Sequence, residues 1–100
     1  MMKMVWRFNL APGVDEREFF AWLRQHVWAS SATFGCATRA FRLEGAALAF
    51  STEATWPDEE ARAAWQASAG HAAIPNYPGF DSPWGAQIGL ERCLYREIST

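Results

Sequence analysis

Four segments of the chain alternate apolar and polar residues with the period of two that is typical of β-strands. In the first, residues 3–10, one face holds Met4, Trp6, Phe8 and Leu10 and the other holds Val5, Arg7 and Asn9. Between the second and third segments, Glu44 and Gly45 predict a tight hairpin turn. The remaining strands are predicted at residues 36–43, 46–56 and 87–98.

Two other segments have the apolar spacing of helices. Residues 14–34 begin with Asp15 and Glu18, a pair with the spacing of a capping box. The apolar face of this helix holds Phe19, Leu23, His26, Val27 and Ser30. The second helix follows Pro57, and Gly70 is expected to end it. Its narrow apolar stripe consists of Ala61, Ala64, Trp65 and Ala69.

The resulting order, β-α-β-β-α-β, predicts an α+β fold of the ferredoxin-like type. Its four-stranded antiparallel sheet would have both helices on one face. We expect residues 1–100 to form one domain, because a chain of this length can close only one core. Residues 70–86 contain three prolines among aromatic residues and are predicted to be an irregular loop.

Composition narrows the range of functions. Half of the residues are hydrophobic and six are tryptophan, more large apolar surface than a domain of this size needs for its own core. The surplus suggests a self-association surface or a ligand cavity. A net charge of −2 argues against nucleic acid or anionic lipid as a partner. Without a signal peptide or an apolar run of about 20 residues, we predict a cytoplasmic protein with no membrane span.

The two cysteines and the charges on the strands add two expectations. Cys36 and Cys93 have no zinc-site spacing, so we expect no metal and two buried free thiols. Balanced charges among apolar strand residues suit a sheet face that meets its own copy in a homodimer. The alternative is an exposed sheet with ordinary surface charges. The charged residues are Arg39, Arg42, Glu53, Glu91, Arg92, Arg96 and Glu97.

Three stretches together resemble the dimeric α+β barrel superfamily, which includes the antibiotic biosynthesis monooxygenase domains. They are "LAPGVDEREFFAWL", "RAFRLEGAALAFSTEATW" and "WPDEEARAAWQAS" followed by a histidine. The resemblance implies that two sheets face each other across a homodimer and that each chain keeps a pocket between its sheet and its helices. It also implies several activities, since members include cofactor-independent oxygenases of polycyclic phenols, haem-degrading monooxygenases and proteins without an assigned activity.

The resemblance further implies residues for the site. The haem-degrading branch uses, as site residues, an Asn on the first strand and a Trp and a His on or after the second helix. The matching residues of this chain are Asn9, Trp65 and His71. The interval from Trp65 to His71 is shorter than in that branch, so the expected enzyme needs no cofactor and haem is the alternative.

The chemistry of individual residues gives the candidate roles. His71 could accept a proton from a phenol or enol, or it could only cap a helix. Asn9 and Arg7 could hold a carbonyl or phenolate oxygen, or could bond across a dimer interface. His26 is a candidate ligand contact or a core histidine, and Trp65 is a stacking wall or the anchor of its helix.

The aromatic residues of the loop, Tyr77, Phe80 and Trp84, could form a lid over an apolar pocket or could pack over the helices. Together these residues predict a protein that binds a small aromatic or apolar ligand, with cofactor-independent monooxygenation of a phenolic or polyketide-like compound as its chemistry. Non-catalytic binding by a dimer of the same fold is the alternative. RNA-recognition motifs share the element order, but "EGAALAFS" lacks the basic and aromatic residues that would stack on bases.

Overall fold

The computed structural model describes residues 1–99 of the chain. The strands are β1 (Met2–Leu10), β2 (Ala37–Arg42), β3 (Phe50–Trp56) and β4 (Gln87–Arg96). The helices are α1 (Glu16–Leu23), α2 (Ala29–Ala32), α3 (Glu59–Gln66) and α4 (Ala69–Ala72). A π-helical turn, Arg24–Trp28, connects α1 to α2.

The four strands form one sheet in the order β2-β3-β1-β4, and every neighbouring pair is antiparallel. The predicted ferredoxin-like α+β arrangement is therefore confirmed. Both helical segments pack on the face that bears Phe8 and Trp56, which we call the helix-side face. Phe8 meets Phe19 of α1 with 5.7 Å between ring centroids, and Trp56 meets Trp65 of α3 at 5.4 Å. The opposite face, which bears Arg7 and Glu53, is the open face.

Aspartates begin the two main helices. The Asp15 carboxylate accepts a hydrogen bond from the Glu18 amide at 3.0 Å, and the Asp58 carboxylate accepts one from the Ala61 amide at 2.8 Å. Each bond satisfies an amide that has no partner inside its helix. The helix that begins at Glu16 continues to Ala32, with the π turn in its middle.

The loop between β2 and β3 differs from the predicted tight turn. It spans residues 43–49 and is closed by a bond of 2.8 Å from the Leu43 amide to the Ala49 carbonyl. Asn9 explains the difference, because its side chain donates to the Ala47 carbonyl at 3.3 Å and accepts from the Ala49 amide at 2.7 Å. These groups are satisfied by a side chain instead of a strand ladder, so β3 begins only at Phe50.

The prediction that Gly70 ends the second helix is wrong. The helix ends at Gln66, Ser68 caps a new short helix, and Gly70 lies inside that helix, α4. A Cβ atom on Gly70 would lie 2.6 Å from the hydroxyl oxygen of Ser30 in α2. Glycine is therefore needed for close helix packing at this position.

The distribution of charge over the sheet also differs from the prediction. Alternation along the strands places Arg42, Arg92 and Arg96 on the helix-side face. There Arg42 pairs with Glu16 of α1, and Arg96 pairs with Glu59 of α3 at 3.2 Å. These charges therefore do not belong to the open face.

The open face keeps a mixture of apolar and charged side chains. Glu53 lies beside Arg39 in the register of β2 and β3, and Lys3 approaches it to 3.7 Å. Both cysteines are free, as predicted, but Cys93 is exposed on this face, and only Cys36 is buried. Within residues 1–99, no helix is long and apolar enough to cross a membrane.

The contact between Gly70 and Ser30 can be tested by substitution. In an exposed helix, Gly→Ala stabilises by about 1 kcal/mol. Gly70→Ala is instead expected to destabilise the protein by about 1–2 kcal/mol, because the added methyl group overpacks the contact with Ser30. Urea unfolding of the wild type and the variant measures the difference.

A double-mutant cycle separates this contact from helix propensity. Ser30→Ala removes the hydroxyl group, and the Ser30 Cβ lies 3.7 Å from the added methyl position. In that background Gly70→Ala should become neutral or stabilising. An equal cost in both backgrounds would show that the contact with Ser30 is not the cause.

Candidate functional site

The loop that follows α4 is fixed by its own hydrogen bonds. The Phe80 amide donates to the Tyr77 carbonyl at 3.0 Å, which closes a turn with Pro78 and Gly79 at its centre. Gly79 has a φ of 89°, as the second central residue of a type II turn requires, and proline suits the first. The Tyr77 amide donates to the Ser82 carbonyl at 3.2 Å.

Tyr77 inserts its ring between this loop and α1. Its side chain is buried, and its ring centroid lies 5.3 Å from that of Trp22, 5.7 Å from that of Phe19 and 5.9 Å from that of Phe80. Such tilted and edge-on pairs contribute about 0.5–1.5 kcal/mol each beyond the area they bury. The loop is therefore part of the hydrophobic core.

A recess of about 310 Å³ lies between the loop and the start of α1. We call it the Tyr77 pocket. Trp22, Tyr77 and Phe80 supply aromatic walls, and Asp15 and Glu18 supply two carboxylates. The remaining lining comes from residues 12–14 and Pro78. Among the described residues, no Lys, Arg or His lines it, so its formal charge is negative.

Two polar groups of this pocket have unusual environments. Burial, and then the negative charges of Glu18 and Asp15, raise the pKa of the Tyr77 hydroxyl. The indole N–H of Trp22 is buried and has no hydrogen-bond acceptor among residues 1–99. A buried donor without an acceptor costs about 1–3 kcal/mol, so this N–H of a pocket-lining residue forms no stabilising hydrogen bond within residues 1–99.

Two other predicted site residues surround Trp22. His26, in the π turn, lies with its ring 5.8 Å from the Trp22 ring, and the half-exposed Trp84 meets the Trp22 ring edge-on at 6.4 Å. The structure thus brings Tyr77, Phe80, Trp84 and His26 together around Trp22. Of these four, Tyr77 and Phe80 line the pocket itself.

Trp65 and His71 form a separate cluster. The Trp65 indole donates to the Ser30 hydroxyl at 2.9 Å and packs on Trp56. The His71 ring meets it edge-on with 4.6 Å between centroids. Trp65 therefore attaches α3 to α2 and the sheet. This is the anchoring role that the sequence offered as the alternative to a stacking wall. His71 follows the second predicted helix, α3, and lies in the short helix α4.

Asn9 and Arg7 lie elsewhere again. Alternation along β1 places both on the open face, since Phe8 between them is buried on the helix-side face. Asn9 holds the loop between β2 and β3, and Arg7 is exposed beside Glu91. Asn9, Trp65 and His71 therefore lie on opposite faces of the sheet, and this arrangement does not fit one haem site. Within residues 1–99, no group of three His, Cys, Asp or Glu side chains could hold a metal ion.

Three residues of the pocket, Asp15, Glu18 and Trp22, were not predicted from the sequence as site residues. Their spacing of three and four residues places them on one side of α1. The signal was present, but the sequence explained Asp15 and Glu18 as a helix cap, and Trp22 was given no role.

Solved structures of other proteins share the ferredoxin-like fold described above. Three of them are similar to this chain over nearly its whole length. A dabb family protein with a ferredoxin-like fold from Mesorhizobium loti is 15% identical, with a TM-score of 0.70, covering 98% of this chain and 97% of its own. The resemblance noted from the sequence is confirmed at the level of the fold.

The other two similar structures are described as oxygenases. An antibiotic biosynthesis monooxygenase is 16% identical, with a TM-score of 0.65 and coverage of 99% of this chain and 100% of its own. The N63A mutant of SnoaB, a cofactor-independent oxygenase from Streptomyces nogalater, is 17% identical, with a TM-score of 0.63 and coverage of 99% and 94%. No family model and no curated protein matches the sequence.

The environment of Tyr77 predicts how stability changes at alkaline pH. Because the folded state favours the neutral hydroxyl, the folded pKa lies above the unfolded one. The stabilisation is complete below about pH 10, where unfolded tyrosine ionises, and is lost as the pH rises through the folded pKa. Tyr77→Phe should therefore reduce the loss of unfolding free energy between about pH 9 and pH 11.

Proposed function

We propose that this chain is a cytoplasmic, homodimeric protein that binds one small phenolic or other apolar aromatic compound per subunit in the Tyr77 pocket. The observation that supports this most directly is the placement of Trp22, Tyr77 and Phe80 around one recess. Aromatic walls of this kind bind a planar ring by stacking and edge contacts.

The size of the pocket restricts the ligand. Pockets for small molecules usually enclose about 300–1,000 Å³, and the Tyr77 pocket has about 310 Å³. This volume favours a ligand of one or two rings over the larger polyketide-like and polycyclic compounds. A hydroxyl or carbonyl oxygen on such a ligand could accept from the unpartnered Trp22 N–H after a small movement of the wall.

The charge of the pocket determines the form of the ligand. Asp15 and Glu18 disfavour a negative ligand by the same electrostatic effect that raises the pKa of Tyr77. A phenol should therefore bind as the neutral molecule, and its hydroxyl group should donate a hydrogen bond to one of the carboxylates. Glu18 is the better acceptor, because the Asp15 carboxylate already accepts from the Glu18 amide.

The homodimer is proposed from the open face. The side chains of Phe41, Ile88 and Tyr95 are each 37–48% exposed in the single chain, and by strand alternation they lie on this face. Lys3, Arg39 and Glu53 lie between them, so a two-fold axis could pair charges of opposite sign across the contact. Burial of this face in a dimer would also cover the Cys93 thiol.

Cofactor-independent monooxygenation is the second candidate, favoured by the descriptions of the two similar oxygenases. In such chemistry a phenol loses a proton, and the anion reacts with dioxygen. One oxygen atom enters the product as a quinone carbonyl, and the other leaves as water, with the electrons and hydrogens supplied by the phenol as it is oxidised to the quinone. The two carboxylates of the Tyr77 pocket oppose the anion, and His71, the base proposed from the sequence, packs against Trp65 instead of lining the pocket. Binding without turnover is therefore our first conclusion.

Ligand binding and turnover can be tested on the same samples. Neutral phenols of one or two rings should raise the melting temperature and change the Trp fluorescence, without oxygen consumption. Oxygen uptake that disappears in His71→Ala, with the fold and binding intact, would instead establish the oxygenase. A phenol that titrates near neutral pH should bind more weakly as its own anion forms.

Phe80→Ala tests the location of the site. Loss of one ring contact should weaken binding of the phenol about 3- to 10-fold, measured by fluorescence titration. Phe41→Ala removes an aromatic ring on a distant strand and should leave the affinity unchanged. Equal effects of both substitutions would place the ligand outside the Tyr77 pocket.

Tyr95→Glu tests the dimer. Placing a carboxylate in the proposed contact should shift the protein to a monomer in sedimentation experiments, because a charge buried without a partner is costly. Leu94→Glu changes the neighbouring residue, which has similar exposure but lies on the helix-side face of β4. It should leave the dimer intact, and a monomer in both variants would contradict the open face as the interface.

A further inference from the structure

A second recess lies on the other side of α1, between that helix and the edge strand β2. It is an open groove of about 660 Å³ and does not share a lining residue with the Tyr77 pocket. The side chains that matter for its chemistry are three arginines and two phenylalanines. These are Arg17, Arg24, Arg42, Phe20 and Phe50.

The sequence of α1 explains why the two recesses differ. Arg17, Phe20 and Arg24 are spaced by three and four residues, so they lie on one side of the helix. That side is about half a turn from the side that contains Asp15 and Glu18, because each residue advances the helix by about 100°. One helix therefore presents acidic and basic sides to two separate recesses.

The groove has a net positive charge. Arg42 is paired with Glu16, which also lines the groove. Three arginines and one glutamate leave two formal positive charges, contributed by the exposed Arg17 and Arg24. The whole chain, in contrast, has a net charge of −2. This local excess favours an anionic ligand.

The phenylalanines give the groove an aromatic floor beside these charges. The ring centroids of Phe20 and Phe50 are 5.6 Å apart at 65°, and the Arg42 guanidinium lies 5.4 Å from the centroid of the Phe50 ring. Inorganic anions cannot use such a floor. A planar ring that has a carboxylate could stack on it while the carboxylate accepts paired hydrogen bonds from a guanidinium.

The π turn gives independent support at Arg24. The Ala29 amide donates to the Arg24 carbonyl, five residues earlier, so the helix holds an extra residue where Arg24 enters the groove. Single π turns inside α-helices are frequent at functional sites.

We infer that this groove is a second ligand site, which binds an aromatic carboxylate with its ring on Phe20 and Phe50 and its carboxylate on Arg17 and Arg24. This site takes an anionic ligand, whereas the Tyr77 pocket takes a neutral one. It does not depend on the function proposed for that pocket.

The test uses the full chain and 1-naphthoate as the probe, with binding measured by calorimetry and by shifts of backbone NMR signals. The double substitution Arg17→Gln and Arg24→Gln should weaken binding at least about tenfold. Both side chains are exposed, so the fold should persist. The exposed Arg92 lies outside the groove, and Arg92→Gln should leave the affinity within about twofold.

Three comparisons identify the ligand class and the site. The neutral 1-naphthalenemethanol should bind much more weakly than naphthoate, and raised salt should weaken naphthoate binding by screening the exposed charges. Phe80→Ala should not change the naphthoate affinity, which separates this site from the Tyr77 pocket. Equal binding of the neutral alcohol, equal binding of inorganic phosphate, or unchanged affinity in the double variant would overturn the inference.

Discussion

The burial of Phe8 against α1 is the contact on which the rest of the molecule depends. Phe8 lies in a central strand, is completely buried, and its ring packs against those of Phe19, Phe20 and Phe50. A four-stranded sheet of this size has only the helices to cover its apolar face, so this cluster determines where α1 lies. Tyr77 also packs against Phe19, which brings the loop after α4 into the same core.

The position of α1 also separates two kinds of chemistry. With its apolar side held on the sheet, its acidic side faces the loop and its basic side faces β2. The two recesses are thus distinguished by charge, although aromatic rings line both. Selectivity between neutral and anionic aromatic compounds would then follow from the rotation of one helix about its axis, without any specialised loop.

The order of elements and the two faces of β1 could be predicted from the sequence, because alternation along the strand and the aspartate caps are local signals. Two boundaries could not. The short β3 depends on Asn9, which is distant in sequence, and Gly70 functions through its contact with Ser30, not through its usual preference for helix ends. Both features require knowledge of which residues meet in three dimensions.

The candidate site was only partly predictable for the same reason. Loop composition predicted Tyr77 and Phe80 as site residues, but the residues opposite them belong to α1, where Asp15 and Glu18 were already explained as the helix cap. Resemblance to a family suggested Asn9, Trp65 and His71 as one set, and the sheet separates Asn9 from the other two. Residue types at the expected positions in the chain do not by themselves establish that side chains meet.

The extra residue in the π turn also affects how this chain should be compared with other sequences. Ser30, which accepts the hydrogen bond from Trp65 and touches Gly70, lies just after that turn. A protein with one residue fewer in this helix would turn the equivalent of Ser30 by about 100° away from the second helix. An alignment without a gap between residues 24 and 28 would therefore match every later position of the helix to the wrong neighbour. The presence or absence of the extra residue in the π turn therefore indicates whether two proteins of this fold attach their second helix in the same way.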